Sequence, residues 1–206
     1  MTTDQTQKPK PDTYLTSRFH EALEFAVEQH KDDVRKSTTI AYICHPIGVA
    51  SLVIEAGGDE DQIIGALLHD VAEDHGGEKA LSKIKELFGP RVEKIVRGCS
   101  DSLTEDPDAK DDWKKRKLAH IAHLNSITDM DILIVTAADK THNARAIVTD
   151  LQIEGCKVWE RFSVTKSSEI IWYYEEMYKA LKHKNVPKKL MKPLKTAIKQ
   201  MTQGSR

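Results

Sequence analysis

Within six residues, His69-Asp70-Val71-Ala72-Glu73-Asp74, the chain sets one imidazole and three carboxylates. The apolar run before them (Ile63, Ile64, Ala66, Leu67, Leu68) reads as a buried helix. On that helix position 69 stacks on 73 and 70 on 74. The four polar side chains then share one broad face of an otherwise greasy element. Carboxylates beside an apolar core are costly unless something compensates them. A divalent metal is the simplest compensation, and it would also activate water for hydrolysis.

Two further segments offer matching donors next to apolar helix sequence: Tyr42-Ile43-Cys44-His45-Pro46 and Ala138-Asp139-Lys140-Thr141-His142-Asn143. The set His45, His69, Asp70 and Asp139 suits a borderline divalent ion such as manganese, iron or zinc, with coordination positions left for water and substrate. Glu73 and Asp74, one turn beyond the His-Asp pair, could orient or deprotonate a water. A bare His-Asp dipeptide arises by chance. The ordered set of His, then His-Asp-x-x-Glu-Asp, then Asp, each on an expected helix of one small domain, does not arise so easily. The remaining histidines His20, His30, His120, His123 and His183 read as core or surface residues rather than ligands.

These donors must be held by helices, since strand signals are few and no internal repeat is evident. Helical spacing of Phe19, Leu23, Ala26, Val27 and His30 predicts a first helix over 16–31, followed by a polar loop over 32–41. A second helix runs from His45 to Ala56, with Pro46 tolerated in its first turn and Gly57-Gly58 stopping it. Asp59 caps a third, with Gln62 completing a capping box, and Gly76-Gly77 ends it past the acidic cluster. Short helices over 80–88 and 90–99 break at Gly89-Pro90. An acidic loop over 101–112 leads to a basic helix at Trp113, Lys114, Lys115, Arg116 and Lys117. Ile132 to Thr136 has strand composition, but the apolar pattern continues through Ala137, Ala138, Ala144 and Ile147, so 129–151 reads as one long buried helix closed by Gly155. Ile170 to Leu181 and Pro187 to Met201 supply the last two. Trp172, Tyr173 and Tyr174 read as core, or as part of an interface. The expected fold is all-α, a single bundle of about eight to ten helices spanning 13–206 after a disordered tail over 1–12.

Bulk properties narrow the function. The chain has 206 residues, 31 basic and 32 acidic, enough for one sizeable core and with no excess charge to favour nucleic acid. No apolar run is long enough to span a bilayer. Cys44, Cys99 and Cys156 form no CxxC pair, which argues against a zinc ribbon or disulfide framework and fits a reducing cytoplasm. Oligomeric state is left open.

The ordered pattern resembles the HD-domain metal-dependent phosphohydrolases. More narrowly, Arg35-Lys36, Tyr42 to Pro46, Ala66 to Asp74, Phe88-Gly89 and Ala138-Asp139-Lys140 with Asn143 and Arg145 are similar to the hydrolase domain of RelA/SpoT-type proteins, and at this length to the stand-alone small alarmone hydrolases. The resemblance covers roughly residues 14 to 180. It implies metal ligands at His45, His69, Asp70 and Asp139, usually for Mn2+, and a catalytic pair at Glu73 and Asp74. It also implies nucleotide contacts from Arg35, Lys36 and Asn143. The implied substrate is a purine nucleotide 3′-diphosphate, guanosine tetra- or pentaphosphate. The products are pyrophosphate and GDP or GTP.

The residue chemistry agrees. Arg35 can stack on a base or clamp a phosphate, and Lys36 supplies a compact charge to a dense polyanion. Each also has a plain reading as a solvated loop residue. Lys140 is kept with them as a substrate contact, although it and Arg145 also read as ion-pair partners. Departures from the family pattern fall near the nucleotide. His75 stands where a Thr commonly follows the Glu-Asp pair, and reads as a cap, a cleft residue or a surface residue. The spacer over 37–41 lacks the usual turn. Lys166 and Ile170 replace an Arg and a Tyr that line the nucleotide site, with Lys166 kept as a substrate contact. Adenosine alarmones, (p)ppApp, are therefore an alternative to (p)ppGpp. Other HD-type reactions, NADPH 2′-phosphatase or dNTP hydrolase, and a non-catalytic nucleotide-binding module also stay open.

Overall fold

The structure is a computed structural model describing residues 13–100, 103, 112–164 and 166–205. The tail over 1–12 and most of the acidic loop over 101–112 lie outside the described residues. Among those described, the architecture is all helical, and the pairing of Val34 with Ala41 is an isolated antiparallel bridge.

Helix α1 (Ser17–Gln29) starts where the Thr16 side chain accepts from the Arg18 amide. The loop after it folds back through the Val34–Ala41 bridge, with the Arg35 amide donating to the Ile40 carbonyl at 2.8 Å. Helix α2 (Cys44–Glu55) takes Pro46 in its first turn, where a missing amide proton costs nothing. Gly57 ends it in the left-handed region at φ 87°. The expected capping box of Asp59 and Gln62 opens α3 (Glu60–Leu68).

One expectation is corrected here. Helix α3 stops at Leu68 rather than running to Gly76, and a turn at His69-Asp70 separates it from the short α4 (Val71–Asp74). The physical reason is visible at His69. Its Nδ1 lies 2.9 Å from the Ala66 carbonyl, the acceptor that the amide of residue 70 would use in a continuing helix. The backbone at both turn residues stays near helical angles. The acidic pair is thus carried on its own short element, immediately after the His69-Asp70 pair.

Helices α5 (Gly77–Phe88) and α6 (Pro90–Cys99) meet at Gly89, and α7 (Trp113–Ser126) is capped by Asp112. The ambiguous apolar run is helical: α8 extends over Met130–Glu154 and is buried from Ile132 to Asp139. A 3-10 segment, Gly155–Arg161, follows, then α9 (Ser167–Lys182) and α10 (Lys188–Gly204). Helix α8 is the hub, packing against α2, α3, α6, α9 and α10. Side chains from these helices form one hydrophobic core, so the middle of α8, where Asp139 sits, is fixed from several sides. No described helix is long and apolar enough to cross a membrane.

Candidate active site

Three separate elements deliver the four donors. His45 comes from the first turn of α2, His69 and Asp70 from the α3–α4 turn, and Asp139 from the centre of α8. Their polar atoms converge. His45 Nε2 lies 3.4 Å from Asp70 Oδ2 and 3.3 Å from Asp139 Oδ1, while His69 Nε2 lies 3.0 Å and 3.8 Å from the same two oxygens. His45, His69 and Asp139 are all buried. His69 Nε2 faces these carboxylates yet makes no hydrogen bond. A buried imidazole nitrogen aimed at carboxylates without bonding them is what a site shaped around a cation leaves.

The electrostatics point the same way. Burial opposes charge on Asp70 and Asp139. The facing imidazoles, with Lys140 beside Asp139, nevertheless hold both carboxyls well below their usual range. Burial likewise opposes a proton on His69, but Asp70 and Asp139 draw its pKa well above the ordinary value. A pocket that pulls this strongly for positive charge, with two imidazoles and two carboxylates as donors, fits a divalent transition ion.

A second layer orients the donors. His45 Nδ1 is 2.9 Å from His142 Nδ1. Burial, reinforced by His45 and Arg35, lowers the His142 pKa to about 4, so this ring is neutral at ordinary pH. Neutral His142 can accept from His45 Nδ1–H, which leaves the His45 Nε2 lone pair for a metal. The Tyr42 hydroxyl donates to Asp70 Oδ2 at 2.6 Å, and burial together with Asp70 and Asp74 keeps that phenol protonated. Asn143 Nδ2 donates to Asp139 Oδ1 at 2.5 Å, and Lys140 Nζ sits 2.8 Å from Asp139 Oδ2.

Beside this centre opens a cavity of about 420 Å³. Arg35, Lys36, Lys140 and Asn143 all line it, as do Tyr42, Tyr173 and Tyr174. Arg35 Nη2 donates to Asn143 Oδ1 at 2.9 Å, linking the loop to α8. Lys36 Nζ lies 5.9 Å from the centre of the Phe162 ring. Lys166 is exposed just before α9 and is not among the lining residues, whereas Ile170 is. Glu73 is half-buried and Asp74 exposed, both on α4.

His75 has a defined place. Its Nε2 lies 2.6 Å from Asp33 Oδ2, and His30 Nδ1 lies 2.8 Å from the same oxygen. These three groups also gather closely enough to suggest a second metal cluster. Their separations are hydrogen-bond lengths, shorter than the 3.0–3.8 Å edges around His45 and His69, and Asp33 is satisfied as a bridge between two rings. Sequence reading gave no role to Tyr42, His142 or Asp33. Tyr42 stood in the quoted Tyr-x-x-His segment, and His142 stood one turn from Asp139; the Asp33 bridge has no local sequence signal.

Residues 22–165 match the family described as HD domain, and the chain belongs to that family. Among curated relatives, the guanosine-3′,5′-bis(diphosphate) 3′-pyrophosphohydrolase of Aquifex aeolicus is 34% identical over 128 residues, 61% of this chain and 17% of that protein. The GTP pyrophosphokinase rsh of Brucella melitensis is 31% identical over 144 residues, 70% of this chain and 18% of that protein. The chain therefore spans under a fifth of these relatives' length. Of solved structures, a metazoan SpoT orthologue described as hydrolysing ppGpp is 25% identical with a TM-score of 0.71, covering 94% of this chain and 99% of that one. A Listeria monocytogenes EGD-e protein shares the fold, at 21% identity and a TM-score of 0.63 over 82% of this chain and all of that one.

Proposed function

We propose that this protein is a divalent-metal-dependent 3′-pyrophosphohydrolase of alarmone nucleotides, with Mn2+ as its ion, converting ppGpp or pppGpp and water to GDP or GTP and pyrophosphate. The observation that carries the reading is the orphaned His69 Nε2 within the buried His45–His69–Asp139 cluster, set beside a cavity lined by Arg35, Lys36, Lys140 and Asn143. The names of the Aquifex relative and the metazoan structure support the substrate class.

In this reading His45, His69, Asp70 and Asp139 hold the ion, which supplies Lewis-acid activation of a phosphoryl oxygen and of water. Arg35 and Lys36 neutralise phosphate charge and hold the nucleotide, with Arg35 fixed in direction by Asn143. Lys140 balances Asp139 and faces the same cavity. Glu73 and Asp74 orient the attacking water and take its proton as the 3′-oxygen–phosphorus bond breaks. Tyr42 and His142 keep Asp70 and His45 aimed at the ion. The three thiols, none of them in a disulfide, suit a cytoplasmic setting.

The test is hydrolysis of ppGpp and ppApp side by side with Mn2+ and then with EDTA, with nucleotide products resolved by anion exchange. Metal-dependent GDP or ADP with pyrophosphate is the expected result. Inertness toward both with metal bound would overturn the reading, and NADPH and dNTPs would be tried next.

A further inference from the structure

Lys140 and Asn143, the α8 residues that contact Asp139, line the cavity beside the buried donors. About three turns on from Asp139, about 16 Å along the helix and on the same face, Asp150 lines it too. Between them the wall turns apolar, with Ala146 and Ile147 from α8 facing Val158 and Phe162 from the 3-10 segment and its exit. The cavity thus has a cationic end beside the buried donor cluster, an apolar middle, and Asp150 with its partner Arg161 at the far end. That order matches a nucleoside 3′-phosphate laid along α8: phosphates at the centre, sugar and base in the slot, and the base edge at Asp150.

Asp150 is held for such a role. Arg161 Nη1 donates to its Oδ2 at 2.8 Å, and the same guanidinium also pairs with Glu154. Arg161 is well buried, its side chain 16% exposed, while Asp150 keeps 36% of its side-chain surface open. A braced carboxylate can only accept hydrogen bonds. Guanine offers it two adjacent donors, N1–H and the 2-amino group. Adenine offers a single amino donor beside the N1 lone pair, which a carboxylate repels.

We propose that Asp150, braced by Arg161, is the residue that selects guanine over adenine in this cavity. The proposal rests on the alarmone reading above. A paired, two-donor contact of this kind is worth about tenfold or more in discrimination.

The experiment compares kcat and KM for ppGpp and ppApp in the wild type, Asp150→Asn and Asp150→Ala, with melting temperature as a fold control. Calorimetric binding of GDP and ADP to the same proteins runs in parallel. The wild type should favour ppGpp by at least about tenfold, and both variants should fall toward parity through a raised KM for ppGpp, with ppApp little affected. A preference for ppGpp that survives in folded variants overturns the role of Asp150, as does a wild type with no preference. If the wild type turns over neither alarmone, the functional reading fails instead. The GDP-to-ADP binding ratio then decides Asp150 alone: loss of a guanine preference in the variants upholds it, and an unchanged ratio overturns it.

Discussion

Tyr42 and Asp70 are joined by a 2.6 Å hydrogen bond from phenol to carboxylate. The bond ties the end of the loop that carries Arg35 and Lys36 to the turn that carries His69. Tyr42 also sits against the buried His30 ring, 4.9 Å between centroids. Removing the hydroxyl leaves this packing and frees Asp70 to rotate. Tyr42→Phe should therefore fold normally and bind Mn2+ about tenfold or more weakly, the usual cost of losing a group that orients a ligand. Calorimetric titration of metal-free protein checks it, and an unchanged affinity would remove Tyr42 from the metal's support.

Gly48 makes the equivalent argument for His45. A methyl group at Gly48 would collide with the His142 ring, the ring whose Nδ1 faces His45 Nδ1. Gly48→Ala should push His142 aside and weaken metal binding by about tenfold, with a smaller loss of stability than a core overpacking of about 1–3 kcal/mol, because an imidazole tip can move. His142→Ala in the same background should show little further loss, since the two changes break one contact.

These supporting contacts mark where sequence reading stops. The four donors and the helices that carry them were legible because residue type and apolar spacing encode both. Even the strand-like Ile132–Thr136 resolved as helix, since Ala137, Ala138, Ala144 and Ile147 continued its pattern. The break at His69 was not legible: it turns on one imidazole taking the Ala66 carbonyl, and periodicity records only which side chains are apolar. Tyr42, His142 and Asp33 act across elements, over long chain separations to Asp70, His45 and His75, so no local spacing announces them. The wall that faces α8 across the middle of the cavity comes partly from a 3-10 segment too short to show a period.

Asp33 gives a prediction in pH. Burial works against its charge, yet the hydrogen bonds from His30 and His75 lower its pKa below the ordinary carboxylate value. A carboxylate depressed on folding contributes stability above its unfolded pKa of about 3.9 and loses it as pH falls through the folded value. Asp33→Asn should thus cost about 1 kcal/mol at pH 7, discounted for the partial exposure of Asp33. The gap in melting temperature from wild type should close below about pH 3. His30 acts in the same direction. Burial lowers its pKa despite Asp33, so the unfolded chain binds a proton below about pH 6.5 that the folded chain resists, and stability falls as pH drops through that window. Thermal melts of both proteins from about pH 7 to about pH 2 test this, and a gap that stays open at the acid end would contradict the Asp33 bridge.

On the proposed reading, Glu73 and Asp74 should separate catalysis from metal binding. They follow the His69-Asp70 pair on their own short helix, Val71–Asp74, and neither belongs to the buried donor cluster. Glu73→Gln and Asp74→Asn keep shape and hydrogen-bonding capacity while removing the basic oxygen. Each should lower kcat for ppGpp by about a hundredfold or more, the range for a lost general base, while Mn2+ affinity stays within about threefold of wild type, since no ligand is touched. His69→Ala should show the opposite pattern, with metal binding lost and turnover lost with it. If Glu73→Gln or Asp74→Asn released the metal, that residue would be a ligand rather than a base. If either left kcat unchanged, the proton from the attacking water would have to go to the other member of the pair.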